Sequence, residues 1–469
     1  MQEKKRKLSE LLSITIEEVE PFSLEAVDAK YTDEVLHKQV NDKRVLNENA
    51  VARYFVEKNQ LIFFHGKFYG VNGVVSDEQL KPDLQKSLEA IGVYKGVAAK
   101  VNSILEVCKM EATVKSFEVK ENFIPFANGN LYLDKNVFRK NEITIEPYRF
   151  LVDFIDEEID TPHFDKWCSD LLESDDYLSL LEFLGYLFVF TTKAQRALFL
   201  VGDGGVGKSC LGVIINSILG NAVINIKNLQ EFNSGHFSDS CLENKPCLYV
   251  DDLDYAYMER TGDFKTMVTN ENPITVDVKY MPHTTFTPKV RYVSCTNKMI
   301  VSKDDKSDGF HRRLYPLCTK PMSKDFEPDL NFKDRLRKEA VGIAQKALVA
   351  LHRLIKDDWK LHESEKTREF LAELRSEDNP FPRFFDLHYI LDPTAPGYPS
   401  KDITEKFKNW RSKNGLPHGR DRDIQNQLGE LARKLGLKKD EHFPNEKGER
   451  TLNGYKGIRL RYPPQTTPK

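Results

Sequence analysis

Apolar side chains recur in two patterns that divide the chain into predicted strands and helices. Residues 197–201, 247–250 and 290–295 are short apolar runs of the length of buried parallel strands. Residues 178–190 form a longer apolar stretch, which is too short to cross a bilayer and predicts a buried helix. Residues 331–356 place apolar side chains at helical spacing. Strands that alternate with helical stretches predict an α/β fold.

Turn residues mark hairpins and boundaries between these elements. Asn72-Gly73 and Asn128-Gly129 lie between apolar or aromatic runs, so each pair predicts a β-hairpin. Five prolines between residues 380 and 399 favour a linker. These features divide the chain into five predicted segments: an N-terminal α+β domain (1–115), a region with a hairpin and then apolar helices (116–190), an α/β domain (191–356), a helix with the Pro-rich linker (357–400) and a small C-terminal domain (401–469).

The loop after the first apolar strand carries the most specific motif of the chain, G-x-x-x-x-G-K-S. A strand precedes it and a predicted helix from Cys210 to Leu219 follows it, which is the context of a phosphate-binding loop. Glycines let backbone N–H groups approach phosphate oxygens, the lysine reaches the β- and γ-phosphates, and the serine hydroxyl can bind Mg²⁺. The alternative is a chance Gly-rich turn. The predicted nucleotide-binding residues are Gly202, Asp203, Gly204, Gly205, Val206, Gly207, Lys208 and Ser209.

The other two apolar strands end in residues that suit nucleotide hydrolysis. Asp251 is predicted to join Ser209 in holding Mg²⁺, and Asp252 to orient or deprotonate the attacking water. A polar side chain such as Asn297, at the end of the third strand, can contact the γ-phosphate or its water. Arg312 and Arg313 lie beyond that strand and can supply an arginine finger to a neighbouring subunit, unless they form only a surface ion pair.

A second pair of β-prone runs lies between the aspartates and Asn297. They flank Lys279, Tyr280 and His283, and so predict a hairpin with a basic and aromatic tip. A cation for phosphate and a ring for a base suit single-stranded nucleic acid in a channel. An ordinary surface hairpin is the alternative.

The loop also resembles that of small GTPases, but two features oppose a guanine-specific switch. Asn297-Lys298 could begin an N-K-x-D motif, yet the position of its carboxylate is occupied by Ile300. No Gly lies three residues after any of the nearby aspartates, so the D-x-x-G switch is also missing. ATP is therefore the predicted nucleotide.

Charge is distributed unevenly along the 469 residues. The chain has a net charge of −3, but residues 401–469 hold 17 Lys or Arg against 9 Asp or Glu, a net charge of +8 that leaves about −11 for the rest. A basic tail predicts a polyanionic partner, with a solvated charged surface as the alternative. Its helix and hairpin patterns place four predicted DNA-binding side chains at Arg422, Arg433, Lys434 and Lys456.

Composition narrows the class of protein further. Hydrophobic residues make up 40% of the chain and charged residues 30%, which is typical of soluble globular proteins with packed cores. Seven scattered cysteines without a C-x-x-C pair favour reduced thiols over a disulfide scaffold or a zinc site. The basic N-terminal residues are followed by no apolar segment, so we expect no secretory signal and a cytoplasmic location.

These motifs, in this order, resemble the superfamily 3 helicases of the AAA+ class. The similarity is greatest to the helicase half of phage, plasmid and poxvirus primase-helicases, which share Asn128-Gly129 and Leu184-Gly185-Tyr186 upstream of the loop. The resemblance covers roughly residues 50–355. It implies a hexameric ring that uses ATP and Mg²⁺, translocates 3′→5′ on DNA and shares each ATP site between subunits. It also places the hairpin with Lys279 and His283 in the central channel.

The resemblance completes the expected architecture. It implies an AAA+ P-loop core, an N-terminal α+β region, a helical collar at residues 116–190 and a C-terminal winged-helix domain for duplex or origin DNA; a protein-docking winged helix is the alternative. About 120 residues precede the collar, too few for a primase domain, so a stand-alone replicative helicase with a possible separate primase is expected. The resemblance implies a location in a bacterial or phage-infected cell. It also suggests an origin on a mobile element such as those of staphylococci, whose helicases load themselves. An origin-binding initiator that uses ATP only for assembly remains the second hypothesis.

Overall fold

The chain divides into two compact units, Met1–Thr367 and Arg368–Lys469. The computed structural model of the protein describes residues 6–117, 119–226, 239–253, 257–258, 261–269, 273–276, 284–299, 301–302, 308–321, 329–378, 380–414, 420–444 and 450–461. The mixed α/β fold with a parallel sheet that the sequence predicts is confirmed.

The N-terminal part of the first unit has a hydrophobic core of its own. Phe55, Leu84 and Ile104 are fully buried in it, on three different helices. The hairpin predicted at Asn72-Gly73 is present, but its turn residues are Val71 and Asn72, because Gly70 pairs with Gly73 in an antiparallel ladder. The helices are Leu24–Lys30, Asp33–Leu36, Glu48–Lys58, Asp77–Ala90 and Val97–Glu111, and the strands are His37–Val40 with Lys43–Leu46 and Ile62–Phe64 with Lys67–Gly70 and Gly73–Val75.

A four-stranded sheet follows this region in the chain. The hairpin predicted at Asn128-Gly129 is confirmed, since Phe126 pairs with Gly129 across a two-residue turn. The N-terminal segment returns to this sheet, because Thr15–Glu18 pairs in parallel with its last strand. The short helix Leu8–Leu12 precedes that segment, and the sheet order is Thr15–Glu18, Val137–Lys140, Gly129–Tyr132 and Phe123–Phe126.

Apolar helices from two distant parts of the sequence form the largest core. Gly185 allows them to approach closely, because a Cβ at this position would lie 2.3 Å from the Ala347 carbonyl oxygen. Glu182 is buried among them, and its Oε2 accepts a hydrogen bond from the His362 backbone N–H at 2.7 Å. The stretch predicted at 178–190 is confirmed as the helix Asp176–Tyr186, and that at 331–356 as the helices Phe332–Lys338 and Ala340–Lys356. The helix Pro162–Leu171 also belongs to this core.

The parallel sheet is the centre of the α/β part of this unit. Its five strands all run in the same direction, in the order Val223–Ile226, Cys247–Leu253, Arg291–Thr296, Ala197–Val201 and Leu314–Cys318. We call Ala197–Val201 the P-loop strand, Cys247–Leu253 the Asp strand and Arg291–Thr296 the Asn strand. The smaller elements of this part are the helices Cys210–Leu219, Thr261–Thr269 and Asp308–His311, the 3₁₀ turns Gly220–Ala222 and Asp239–Leu242, the strand pair Tyr257–Met258 with Val301–Ser302, and the hairpin Ile274–Val276 with Thr284–Phe286.

The second unit is built around aromatic side chains. Phe381, Phe384 and Phe385 lie in its core, although the sequence predicted a linker there. Their spacing buries one face of a helix, and this burial outweighs the prolines, which lie at or near the helix start. The helices are Glu365–Asp378, which crosses the unit boundary, Phe381–His388, Ser400–Lys413 and Asp421–Lys434.

The sequence pattern of residues 450–461 predicts a basic hairpin, which does not form as expected. Arg450–Lys456 pairs with Lys438–Pro444 and with Tyr398–Pro399, whereas Ile458–Leu460 pairs with Tyr389–Leu391 in a separate sheet. Gly457, with φ of +85°, separates the two strands. The prediction was wrong because distant segments supply the partner strands.

Two further sequence predictions concern the cysteines and the membrane. All seven cysteines are free thiols in the structure. Among the described residues, no helix combines the length and the apolar character that crossing a membrane requires.

Candidate nucleotide-binding site

Three of the predicted site segments meet at one edge of the parallel sheet. Residues 202–209 follow the P-loop strand, and the helix Cys210–Leu219 begins directly after them. The Asn strand lies between the P-loop strand and the Asp strand, so Asn297 comes between the loop and Asp251. Because all these strands are parallel, their carboxyl ends share an edge, which is where open α/β sheets bind ligands.

Glycines shape the loop for two different reasons. Gly205 and Gly207 have φ of +85° and +90°, in the left-handed region that other residues rarely adopt. Gly202 is needed for space instead, since a Cβ there would lie 1.7 Å from the Thr319 hydroxyl oxygen. A Cβ at Gly204 would meet nothing within 4 Å. Glycine therefore permits the backbone conformation of the loop at positions 205 and 207, and Thr319 packs against the start of the loop.

The Lys208 side chain joins the loop to the Asn strand. Its Nζ donates to the carbonyl oxygens of Gly202 and Asp203, both at 2.7 Å, and to Asn297 Oδ1 at 3.0 Å. Lys208 is 9% exposed, whereas Asn297 is exposed. The two residues that the sequence assigned to the same phosphate are therefore neighbours in the folded chain.

The two aspartates lie in an irregular part of the Asp strand. Val250 pairs with Ser294 but Leu253 pairs with Thr296, so one extra residue is inserted between them. Such bulges re-aim side chains and are common beside active sites. Asp251 is exposed at this point, while the side chain of Asp252 is outside the described residues.

Buried side chains connect Asp251 to the loop. Tyr249 Oη donates to Asp251 Oδ1 at 2.8 Å and lies 3.5 Å from Cys295 Sγ. The Cys295 thiol in turn lies 3.4 Å from the Lys208 carbonyl oxygen and donates to it. Burial raises the pKa of Tyr249 far above its ordinary value, so its hydroxyl remains protonated. Tyr249 and Cys295 had no predicted role, because the sequence does not show which side chains face the loop.

A tryptophan from the helical region also contacts the loop. Trp167 is on the helix Pro162–Leu171, and its Nε1 donates to the Gly207 carbonyl oxygen at 3.1 Å. The indole is 4% exposed. Its position in an apolar helical pattern indicated only burial, so sequence reasoning missed this contact.

Ser209 and Asp251, the two predicted Mg²⁺ ligands, both carry side-chain oxygen atoms. Ser209 is partly buried at the start of the helix that follows the loop, and the Asp251 carboxylate is exposed. Hydroxyl and carboxylate oxygens are ligands that Mg²⁺ accepts, and it usually takes the remainder from substrate phosphates and water. No group of three or more His, Cys, Asp or Glu side chains in the described part of the chain could hold a metal ion. Ser209 and Asp251 therefore remain the predicted Mg²⁺ ligands.

The two predicted finger arginines differ in their surroundings. Arg312 is exposed, whereas Arg313 is 9% exposed and donates to the Gly309 carbonyl oxygen. Both precede Leu314, which pairs with Ala197 at the start of the P-loop strand. They therefore lie at the opposite edge of the sheet from the loop, at least about 13 Å away for four strand steps of about 3.3 Å.

The predicted DNA-contacting residues of the first unit are only partly described. Ile274 pairs with Phe286 and Val276 with Thr284, so the antiparallel hairpin is confirmed. Its tip, with Lys279, Tyr280 and His283, lies outside the described residues.

The basic residues predicted in the second unit lie on its surface. Arg422, Arg433 and Lys434 are exposed along the helix Asp421–Lys434. Lys456 is exposed as well, but its Nζ lies 2.6 Å from Asp440 Oδ2. A hydrogen bond from Lys456 lowers the pKa of Asp440, which keeps that carboxylate charged. The helix therefore exposes three of the four predicted basic side chains, and the strand exposes one.

Part of the chain matches a family model, and most of it is similar to solved structures. Residues 200–313 match a family of unknown function (DUF5906), and no curated protein matches the chain. An A-form apo structure of the NrS-1 C terminal region matches with 14% identity and a TM-score of 0.48, over 82% of this chain and 86% of that chain. A second A-form structure of this region gives 14%, 0.49, 83% and 88%, and a further apo structure gives 12%, 0.46, 83% and 87%.

Proposed function

We propose that the protein is an ATP-dependent DNA helicase of the superfamily 3, AAA+ type. The observation that carries this proposal is the hydrogen bond between Lys208 Nζ and Asn297 Oδ1, at the edge of the sheet to which Asp251 also belongs. A loop lysine and a polar strand end that meet in the folded protein can contact the same terminal phosphate.

Each site residue has a specific part in the proposed hydrolysis. Lys208 exchanges its contacts with the loop carbonyls for the β- and γ-phosphates, and Asn297 holds the γ-phosphate or the attacking water. Asp252 orients that water or takes its proton. Mg²⁺, held by Ser209 and Asp251, would neutralise the charge that develops on the phosphates.

The position of Arg312 supports assembly into a ring. It is exposed at the edge of the sheet opposite its own loop, so it can reach a nucleotide only on another subunit. A head-to-tail interface of this kind closes into a ring when the rotation permits, and we propose a homohexamer. Arg313 instead secures the turn before the strand through the Gly309 carbonyl.

DNA binding is divided between two regions in this proposal. The hairpin Ile274–Val276 with Thr284–Phe286 grips single-stranded DNA in the channel through Lys279, Tyr280 and His283. The second unit acts as a winged-helix module whose exposed arginines and lysines bind duplex or origin DNA. The proposed setting is replication of a phage, plasmid or other mobile element in a bacterial cytoplasm, with a separate primase and 3′→5′ translocation.

Strand displacement on forked DNA tests the proposal. The wild-type protein should unwind DNA with ATP and Mg²⁺, and Lys208→Ala should abolish hydrolysis by removing the cation at the phosphates. Asp252→Asn should bind ATP without turning it over. The Tyr292→Phe variant is a control, because it changes a buried tyrosine of the same sheet that has no part in the proposed site.

The results of these assays distinguish a helicase from an initiator and from a GTP-binding switch protein. ATP-dependent assembly without hydrolysis or unwinding would favour the initiator hypothesis. Binding of GTP in preference to ATP would favour a switch protein. Hydrolysis at the wild-type rate by Lys208→Ala would refute the assignment of the site.

A further inference from the structure

Tyr249 is placed to control the carboxylate assigned to the metal. We propose that Tyr249 is a positioning residue that holds Asp251 in the orientation needed for Mg²⁺, and so sets the metal dependence of nucleotide binding and hydrolysis. This inference rests on the proposed function. Its basis is the hydrogen bond of 2.8 Å from Tyr249 Oη to Asp251 Oδ1.

The helix after the loop packs directly against the Tyr249 ring, and this close packing is possible because the helix has a glycine there. A Cβ added at Gly212, on the helix after the loop, would lie 2.5 Å from Tyr249 Cε1 and 2.6 Å from its hydroxyl oxygen. The ring is 4% exposed. The hydroxyl is therefore held between that helix and the Asp strand, where packing limits its movement.

The Tyr249 hydroxyl and the Cys295 thiol have one proton each, and these two protons account for the direction of both hydrogen bonds. The single proton of the Tyr249 hydroxyl goes to Asp251, and the single proton of the Cys295 thiol goes to the Lys208 carbonyl. The contact of 3.5 Å between Tyr249 Oη and Cys295 Sγ then needs no further proton. Asp251 and the backbone of the loop lysine are thus connected through two buried side chains.

The effect of this hydrogen bond should appear in metal binding. Asp251 is exposed, so without the tyrosine its carboxylate can adopt other rotamers in water. Groups that orient a metal ligand typically change metal affinity by about 10- to 100-fold when they are removed. The smaller end of this range applies here, because phosphates and water supply the other Mg²⁺ ligands.

Tyr249→Phe is the direct test, because it removes one oxygen and keeps the ring beside Gly212. The Mg²⁺ concentration for half-maximal ATP hydrolysis should rise about tenfold, while the rate at saturating Mg²⁺ stays close to wild type. Tyr292→Phe is the matched control. It makes the same change in a buried tyrosine on the neighbouring Asn strand, packed against Phe199 and Phe264. It should leave the Mg²⁺ dependence unchanged.

A second measurement separates positioning from packing. Mg²⁺-dependent nucleotide binding should be measured for Tyr249→Phe in the wild-type and Asp251→Asn backgrounds. If the hydroxyl acts through Asp251, its removal should weaken binding about tenfold in the first background and have little effect in the second.

Three results would overturn the inference. Equal Mg²⁺ dependence in the Tyr249→Phe and Tyr292→Phe variants would exclude a role for the hydroxyl, even though wild-type hydrolysis would leave the proposed function standing. Unfolding of Tyr249→Phe alone would assign the hydroxyl to packing. A wild-type protein that neither binds nor hydrolyses ATP would refute the proposed function and this inference together.

Discussion

Gly185→Ala should separate two helices of the largest core. The added Cβ would lie 2.3 Å from the Ala347 carbonyl oxygen, 2.9 Å from Leu351 Cβ and 3.0 Å from Leu351 N. Ordinary contacts begin at 3.4 Å, so the helices must move apart by about 1 Å at this point. A backbone carbonyl in a helix cannot rotate away as a side chain can.

The magnitude follows from two opposing contributions. Overpacking a close-packed core costs about 1–3 kcal/mol. Replacing a helical glycine with alanine contributes up to about 1 kcal/mol in the opposite direction. We therefore expect the free energy of unfolding of the first unit to fall by about 1–2 kcal/mol, as measured by urea denaturation.

Gly429→Ala provides the matched comparison in the second unit. Gly429 is also in a helix, but a Cβ there would lie 3.6 Å from the Tyr455 hydroxyl oxygen, an ordinary contact. This variant should be more stable than wild type by up to about 1 kcal/mol. If Gly185→Ala were equally stabilising, the close approach of the two helices would be refuted.

The remaining predictions concern nucleotide, assembly and DNA. Binding of Mg²⁺-ADP should change the fluorescence of Trp167, one of three tryptophans, because its Nε1 contacts the loop; titration of Trp167→Phe should show no such signal. Arg312→Ala should lose ATPase activity but keep its thermal stability, whereas Arg313→Ala should be less stable; mixing Arg312→Ala with Lys208→Ala should restore part of the activity. Failure of that mixture would count against a shared site. Replacing Arg422, Arg433 and Lys434 with alanine should reduce the steepness of log affinity for duplex DNA against log salt by about 2.7, as measured by fluorescence anisotropy. An unchanged slope would show that these residues of the second unit do not contact DNA phosphates.

Local features of the amino-acid sequence determined the elements of the site. The P-loop strand and the helix after it were predicted with the bounds that the structure has, because an apolar run, a Gly-rich loop and a helix start are all short-range signals. The hairpin Ile274–Val276 with Thr284–Phe286 was predicted for the same reason. Helix spacing likewise predicted the helical stretches of the core.

Contacts between distant segments were decided only by the tertiary structure. Strand order brings Lys208 to Asn297, the helix after the loop packs against Tyr249 at Gly212, and the helix Pro162–Leu171 brings Trp167 to the loop. The sequence pattern also could not distinguish the exposed Arg312 from the buried Arg313, since the two are adjacent. Strand partners in the second unit were predicted wrongly for the same physical reason: hydrogen bonds in sheets join segments that are far apart in the chain, and their choice depends on which surfaces the whole fold buries.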